Sequence, residues 1–290
     1  MFITKNNLKD WRLWYKLIVA LLILTFIFEM LIKGLVNIGN DSSKNQPSIW
    51  TIWSKDEAGK IIGYDYYGYV INFFSFFTIQ SNILIVVWLL VGFFNHNKEG
   101  EIKILQKSFS LSVITYITIT AMIFNFMLLP QVLASGDNNF GALWWVEQMI
   151  VHTFGPIAAV VYFLFFMKQN LEFNFKKFIK KDFWIIAIYP VAYLVYTLSR
   201  GELIYRSYGS DASLAHKHQA YPYFFLEIHN KNALGLGNES FMNNGLTWLF
   251  IAIITIVGII IGLGSLYLFI GSKTSNIRES WKNKNNEKKS

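Results

Sequence analysis

Apolar residues run along this chain in six long blocks separated by polar stretches. The blocks cover about Trp14–Ile32, Tyr69–Phe94, Ser108–Leu129, Trp144–Met167, Phe183–Leu198 and Leu246–Ile270. About 20 helical residues, at 1.5 Å each, cross the hydrocarbon core of a bilayer, and the blocks are close to that length. The pattern predicts an all-α polytopic membrane protein: a six-transmembrane-helix bundle forming one membrane domain over residues 1–270. The fifth block is the shortest and predicts the shortest span. Lys5, Lys9 and Arg12 precede the first block, as in a signal peptide, but the apolar run is long and no small-x-small site follows it. It reads as an uncleaved anchor. Residues 271–290 are polar, basic and rich in Asn and Lys, which predicts a disordered tail.

Composition agrees. Of 290 residues, 53% are hydrophobic and 15% charged, against about 25% charged in an average soluble domain. The net charge of +8 therefore does not mark a soluble nucleic-acid binder. Lysines and arginines beside membrane helices fix orientation and meet anionic lipid. Counted over alternate segments, eighteen lie on the side of the termini and eight on the other. The positive-inside rule then places both termini in the cytoplasm of a cell-membrane protein. There is no cysteine, which excludes disulfides, thiolate metal sites and a cysteine nucleophile. The two long outer segments, about Lys33–Gly68 and Ser199–Gly245, are aromatic enough to predict interfacial caps.

Polar residues inside the spans carry the candidate chemistry, because hydrocarbon offers them no partners. In the second span Ser75, Thr78 and Asn82 are spaced i, i+3, i+7 and share one helical face. In the fourth, Gln148 and His152 are i, i+4, and Pro156 predicts a kink just beyond them. Thr78 lies about 13 Å and His152 about 12 Å along helices that both enter from the outside, so the two sit at similar depth. The third span carries Thr115, Thr118 and Asn125 on one stripe. The fifth carries Tyr189, Tyr193, Tyr196 and Arg200, a row fit to hold a carboxylate or phosphate headgroup or to serve as an aromatic belt with a snorkelling arginine. Pro190 predicts a bend near the start of the fifth span. Gly258 and Gly262 form a GxxxG, explained by close helix packing. His216 and His218 lack a thiolate or acidic pair, so no metal site and no cofactor is expected.

Phe74-Ser-Phe-Phe-Thr78-Ile-Gln-Ser-Asn82, Val151-His152-Thr-Phe-Gly-Pro156, Tyr189-Pro190 and Tyr221-Pro-Tyr-Phe-Phe-Leu-Glu227 occur in this order. Together they resemble the androgen-induced/androgen-dependent membrane protein family and its bacterial six-helix relatives, including mollicute ones, over about residues 65–270. The animal members are intramembrane threonine hydrolases of fatty acid esters of hydroxy fatty acids. The resemblance implies a nucleophile at Thr78 and a base at His152. Asn82 or Gln148 would donate to the oxyanion, with Ser75 and Asn125 as supporting polar groups and Tyr189, Tyr193, Tyr196 and Arg200 around the substrate. Glu147 or a backbone carbonyl would orient the histidine. The expected partner is a membrane lipid or fatty-acid ester, with no nucleic acid. Two other readings stay open: a noncatalytic lipid-binding or assembly protein whose polar stripes are packing glue, and a small-solute transporter.

Overall fold

The computed structural model describes residues 3–38, 52–134, 140–207, 220–234 and 240–275. The expected tail beyond residue 275, His216, His218 and part of the first outer segment lie outside the described residues. Within them the protein is all-α apart from one hairpin, with six helices long and apolar enough to cross a membrane. We label the helices α1 (Trp11–Asn37), α2 (Tyr66–Ser75), α3 (Phe77–Phe94), α4 (Lys107–Ala134), α5 (Ala142–Phe166), α6 (Phe175–Ser207) and α7 (Gly245–Lys273). About half of α3, α4 and α5 is buried, whereas α1, α6 and α7 leave most of their surface outside the packing. Their outward faces are apolar (Ile18, Phe28, Trp184, Ile188, Phe250 and Ile254 are all exposed), as lipid contact requires of a spanning helix.

Three expectations need correction. The fifth span is the longest: α6 runs for 33 residues, because hydropathy registers the width of the hydrocarbon while the helix continues through Lys176–Asp182 at one end and Arg200–Arg206 at the other. The second span is broken, since Phe76 is extended (φ −72°, ψ 133°) between α2 and α3. The GxxxG of α7 is not used in packing among the described residues, because a Cβ at Gly258 or Gly262 would meet nothing within 4 Å. Gly264 and Gly271 are close-packed instead, with the Phe178 ring 2.6 Å and Leu171 Cδ1 2.5 Å from where their Cβ atoms would lie.

The first outer segment contains an antiparallel hairpin, β1 (Ile52–Lys55) and β2 (Ile61–Tyr64). Its turn closes on Asp56, whose carboxylate accepts the Lys60 N–H, and Gly59 takes φ +80°, a conformation open to glycine.

The chain divides into two compact units. One comprises Met1–Phe28, Thr78–Ala187 and Ile259–Ser290. Its core includes Leu13, Ile23, Trp88, Leu111, Ile114, Phe163 and Phe178. Tyr15 donates to the Ala158 carbonyl at 3.0 Å, and Trp88 Nε1 donates to Ser110 Oγ at 3.0 Å. Asp182 accepts from Lys107 and Ser108 at the opening of α4. The other unit comprises Glu29–Phe77 and Ile188–Gly258. Ala220, Tyr221, Leu226 and Leu249 form its small core, with Leu194, Leu198 and Tyr223 packed against it. Gly201 is required there, because a Cβ would lie 2.2 Å from the Tyr221 ring.

Three spans contain a proline, at Pro130, Pro156 and Pro190, and at the last two a side chain from a neighbouring helix takes a carbonyl the proline cannot serve. Pro190 lacks the N–H that would bond Ile186, and Tyr116 donates to that carbonyl at 2.7 Å. Pro156 has a larger effect and shapes the candidate site.

Candidate functional site

Around Pro156 the helix widens. Ile150–Phe154 is a π segment, in which the Gly155 N–H bonds Ile150. The Val151 carbonyl then has no main-chain donor, because Gly155 is engaged elsewhere and Pro156 has no N–H. The His152 carbonyl loses its α-helical donor for the same reason. Two asparagines from other helices fill these places. Asn82 Nδ2, on α3, donates to Val151 at 3.0 Å, and Asn125 Nδ2, on α4, donates to His152 at 3.2 Å. Asn125 itself lies in a second π segment, Phe124–Leu128, and its Oδ1 accepts from Thr153 at 3.1 Å. Segments of this kind recur at functional sites.

Asn82 also reaches back along its own helix. Its second N–H bonds the Thr78 carbonyl at 2.9 Å, so one amide joins the main chain at Thr78 to the main chain beside His152. Both of its hydrogens are committed, which leaves none for a substrate oxygen. Its Oδ1 is buried without a partner among the described residues. Ser81 completes the contact, donating to Thr78 at 3.1 Å and pairing with Thr120 Oγ1 at 2.8 Å.

His152 is buried, and its ring stacks on Phe124 at 4.0 Å. Its Nδ1 lies 3.1 Å from the Gln148 carbonyl. A carbonyl can only accept, so Nδ1 carries the proton, and Nε2 of the neutral ring holds a lone pair with no partner among the described residues. The group that orients the histidine is thus a backbone carbonyl. The Thr78 hydroxyl is part-buried and bonds no described residue. Thr78 stands in the first turn of α3, where helix geometry leaves N–H groups without intrahelical acceptors.

The other predicted residues gather in the second unit. Ser75 ends α2 and turns its hydroxyl onto the Asn72 carbonyl at 2.6 Å, so it does not share a helical face with Thr78. Tyr193 donates to the Ser75 carbonyl at 2.9 Å, and the Phe77 N–H donates to the Tyr223 hydroxyl at 3.2 Å. Tyr189 and Tyr193 pack on the Phe77 ring. Arg200 reaches Asn72 Oδ1 at 3.4 Å, while Tyr196 is exposed. The Gln148 side chain is part-buried and bonds no described residue.

A second polar cluster lies at the N-terminal end of α1. Arg12 and Lys16, which the sequence assigns to the lipid surface, are 0% and 1% exposed. Lys16 Nζ donates to Glu99, to the Gly92 carbonyl at 2.6 Å and to His96 Nδ1 at 2.9 Å. An ammonium cannot accept, so His96 is neutral at Nδ1 and donates from Nε2 to Asp10, 2.9 Å away. Asp10 also takes Arg12 at 2.5 and 3.0 Å. Glu99 takes the Tyr162 hydroxyl at 2.5 Å and the Lys168 N–H at 3.0 Å. Burial raises both carboxyls, but Lys16 holds Glu99 below its ordinary value, and His96 and Arg12 hold Asp10 well below. Burial and then Lys16 push His96 down, against Asp10 and Glu99. The signal was present in the sequence, since Lys16 continues the stripe Leu13, Ala20, Ile23, Ile27 that α1 buries.

Comparison of the chain with protein-family models, curated proteins and solved structures finds no match. The chemistry of the site therefore rests on its own geometry.

Proposed function

We propose that this chain is a multi-pass protein of the cell membrane, with both termini in the cytoplasm, that hydrolyses lipid esters using Thr78 as nucleophile and His152 as base. The observation that supports this reading is the shared Asn82 amide. It sets the Thr78 turn against the π segment of His152, where each residue keeps its reactive atom free of partners among the described residues. A threonine hydroxyl needs such a base to attack. His152 Nε2 takes the Thr78 proton as Oγ1 attacks the ester carbonyl carbon. The tetrahedral oxyanion collapses, and the leaving alkoxide takes the proton from His152, which leaves an acyl-threonine. Water, deprotonated by the same nitrogen, attacks the acyl carbon, and the fatty acid departs as Thr78 regains its proton. With Asn82 committed, the Gln148 amide and the opening N–H groups of α3 are the donors for the oxyanion, whose stabilisation is worth about 3–4 kcal/mol per donor.

A noncatalytic reading is the alternative, favoured by the same asparagines: their bonds to proline-freed carbonyls are packing bonds in their own right. Thr78→Ala separates the two. On the hydrolytic reading, the folded variant loses both labelling by a fluorophosphonate probe and release of fatty acid from a long-chain ester. Full activity in that variant rules the mechanism out. A reporter fused after Ser290 is expected to be accessible from the cytoplasm, and exposure on the other side would overturn the orientation.

A further inference from the structure

The gap between α2 and α3 contains neither glycine nor proline: the chain from Tyr69 to Asn82 has nothing in it that forbids a continuous helix. Within a bilayer a broken helix leaves main-chain groups that must find partners. Here two of them, the Ser75 carbonyl and the Phe77 N–H, are met by tyrosine hydroxyls from distant segments. Tyr193, on α6, donates to the Ser75 carbonyl that ends α2, and Tyr223, in the second outer segment, accepts from the Phe77 N–H that opens α3. The rings grip as well as the hydroxyls. Tyr193 meets Phe77 edge-on at 5.1 Å, and Tyr223 meets Phe76 edge-on at 6.0 Å.

We infer that Tyr193 and Tyr223 are positioning residues that hold the second span open at Phe76 and so fix the presentation of Thr78. Thr78 follows Phe77 directly in the chain, and its place in an opening turn rather than mid-helix depends on the gap. A continuous helix would turn the opening N–H groups back into ladder bonds. The catalytic part of this inference rests on the reading of Thr78 as nucleophile; the clamp itself does not. It also gives the second outer segment a role, since Tyr223 comes from its Tyr221–Glu227 stretch.

Tyr193→Phe and Tyr223→Phe each remove one hydroxyl and keep the ring packing. Because the chain has no cysteine, Thr78→Cys provides a single thiol whose maleimide-labelling rate reports how position 78 is presented, without any substrate. In that background each phenylalanine variant is expected to change the labelling rate several-fold, and the double variant more. With Thr78 intact, each variant is expected to lower kcat by about tenfold, roughly one hydrogen bond's worth of alignment, with KM and melting temperature unchanged. Unaltered labelling in both single variants overturns the clamp. Altered labelling with unaltered kcat overturns the positioning of a nucleophile. If wild type and Thr78→Ala cleave ester alike, the hydrolytic reading has failed, and the labelling rates alone decide the clamp.

Discussion

The region around His152 and the cluster around Glu99 are both buried, both polar, and both tie α5 to neighbouring helices, yet they differ in what is left over. In the Glu99 cluster every ionised group is met: Glu99 by Lys16, Tyr162 and Lys168, and Asp10 by Arg12 and His96. The side chains that bond around His152 (Asn82, Asn125, Ser81, Thr153) are neutral, and three atoms stand without partners among the described residues: Thr78 Oγ1, His152 Nε2 and Asn82 Oδ1. The difference follows from the energies of burial. An unmet charge costs far more than an unmet neutral acceptor, so a fold can keep spare valence only where its polar groups are neutral. The ionic cluster is saturated; the neutral region keeps hydrogen-bonding capacity that no described residue fills.

Breaking the charged side has the largest expected effect. Glu99→Gln keeps the shape but strips Lys16 of its counter-charge, and removing one partner of a buried pair costs about 3–5 kcal/mol. The variant should melt far below wild type in detergent, and an unchanged melting temperature would mean that Lys16 does not depend on Glu99. The neutral side should break more gently. Asn82→Ala leaves the Val151 carbonyl unmet, at about 1–3 kcal/mol. Pro156→Ala returns a main-chain N–H to the π segment, so in that background the asparagine should matter less, with a coupling of about 0.5–3 kcal/mol in a double-mutant cycle. Strictly additive losses would show that Asn82 does not serve a proline-freed carbonyl. Acid sharpens the comparison with the smallest effect. His96 is held below its ordinary value of 6.5, so the unfolded chain gains a proton below that pH while the folded chain does not. Stability is complete above about pH 6.5 and falls as the medium acidifies. Asp10 and Glu99, also held down, extend the decline at lower pH. A melting-temperature series should show both stages, and His96→Gln should erase the first; a first stage that survives in that variant assigns it to another group.

Much of the fold was legible in the sequence because spanning a bilayer imposes a length and a polarity that six blocks of residues display. What periodicity could not show was contact over long separations. The break at Phe76 is made by tyrosines 118 and 146 positions from their partners, in a segment whose own residues favour continuity. Lys16 looked like a lipid-facing cation because its partners, His96 and Glu99, are 80 and 83 positions away. The hairpin was readable in principle: Asp56 and Gly59 mark a turn between two short apolar runs. At the candidate site, spacing predicted Thr78 and His152 at like depth by counting along a second span taken as continuous, whereas that span breaks at Phe76. The bond that joins their segments runs through Asn82 to a carbonyl released by Pro156, and only the π segment explains why that carbonyl was available.

The length of α6 bears on the membrane itself. At 33 residues the helix measures about 50 Å, well beyond the hydrocarbon core. Its uncharged stretch between Asp182 and Arg200 is only seventeen residues, about 26 Å, against a core of about 30 Å. Asp182 is held by Lys107 and Ser108, and Arg200 bonds Asn72, so neither end is free to stretch toward the surface. A bilayer that meets so short a stretch is expected to thin beside α6, and the depth of lipid probes next to that helix would test it. In a dimpled leaflet the headgroups sink toward the middle of the protein, and the ester linkages just beneath them sink too. On that expectation the helix that seemed shortest by hydropathy acts on its solvent, and the protein partitions into thin membranes in preference to thick ones.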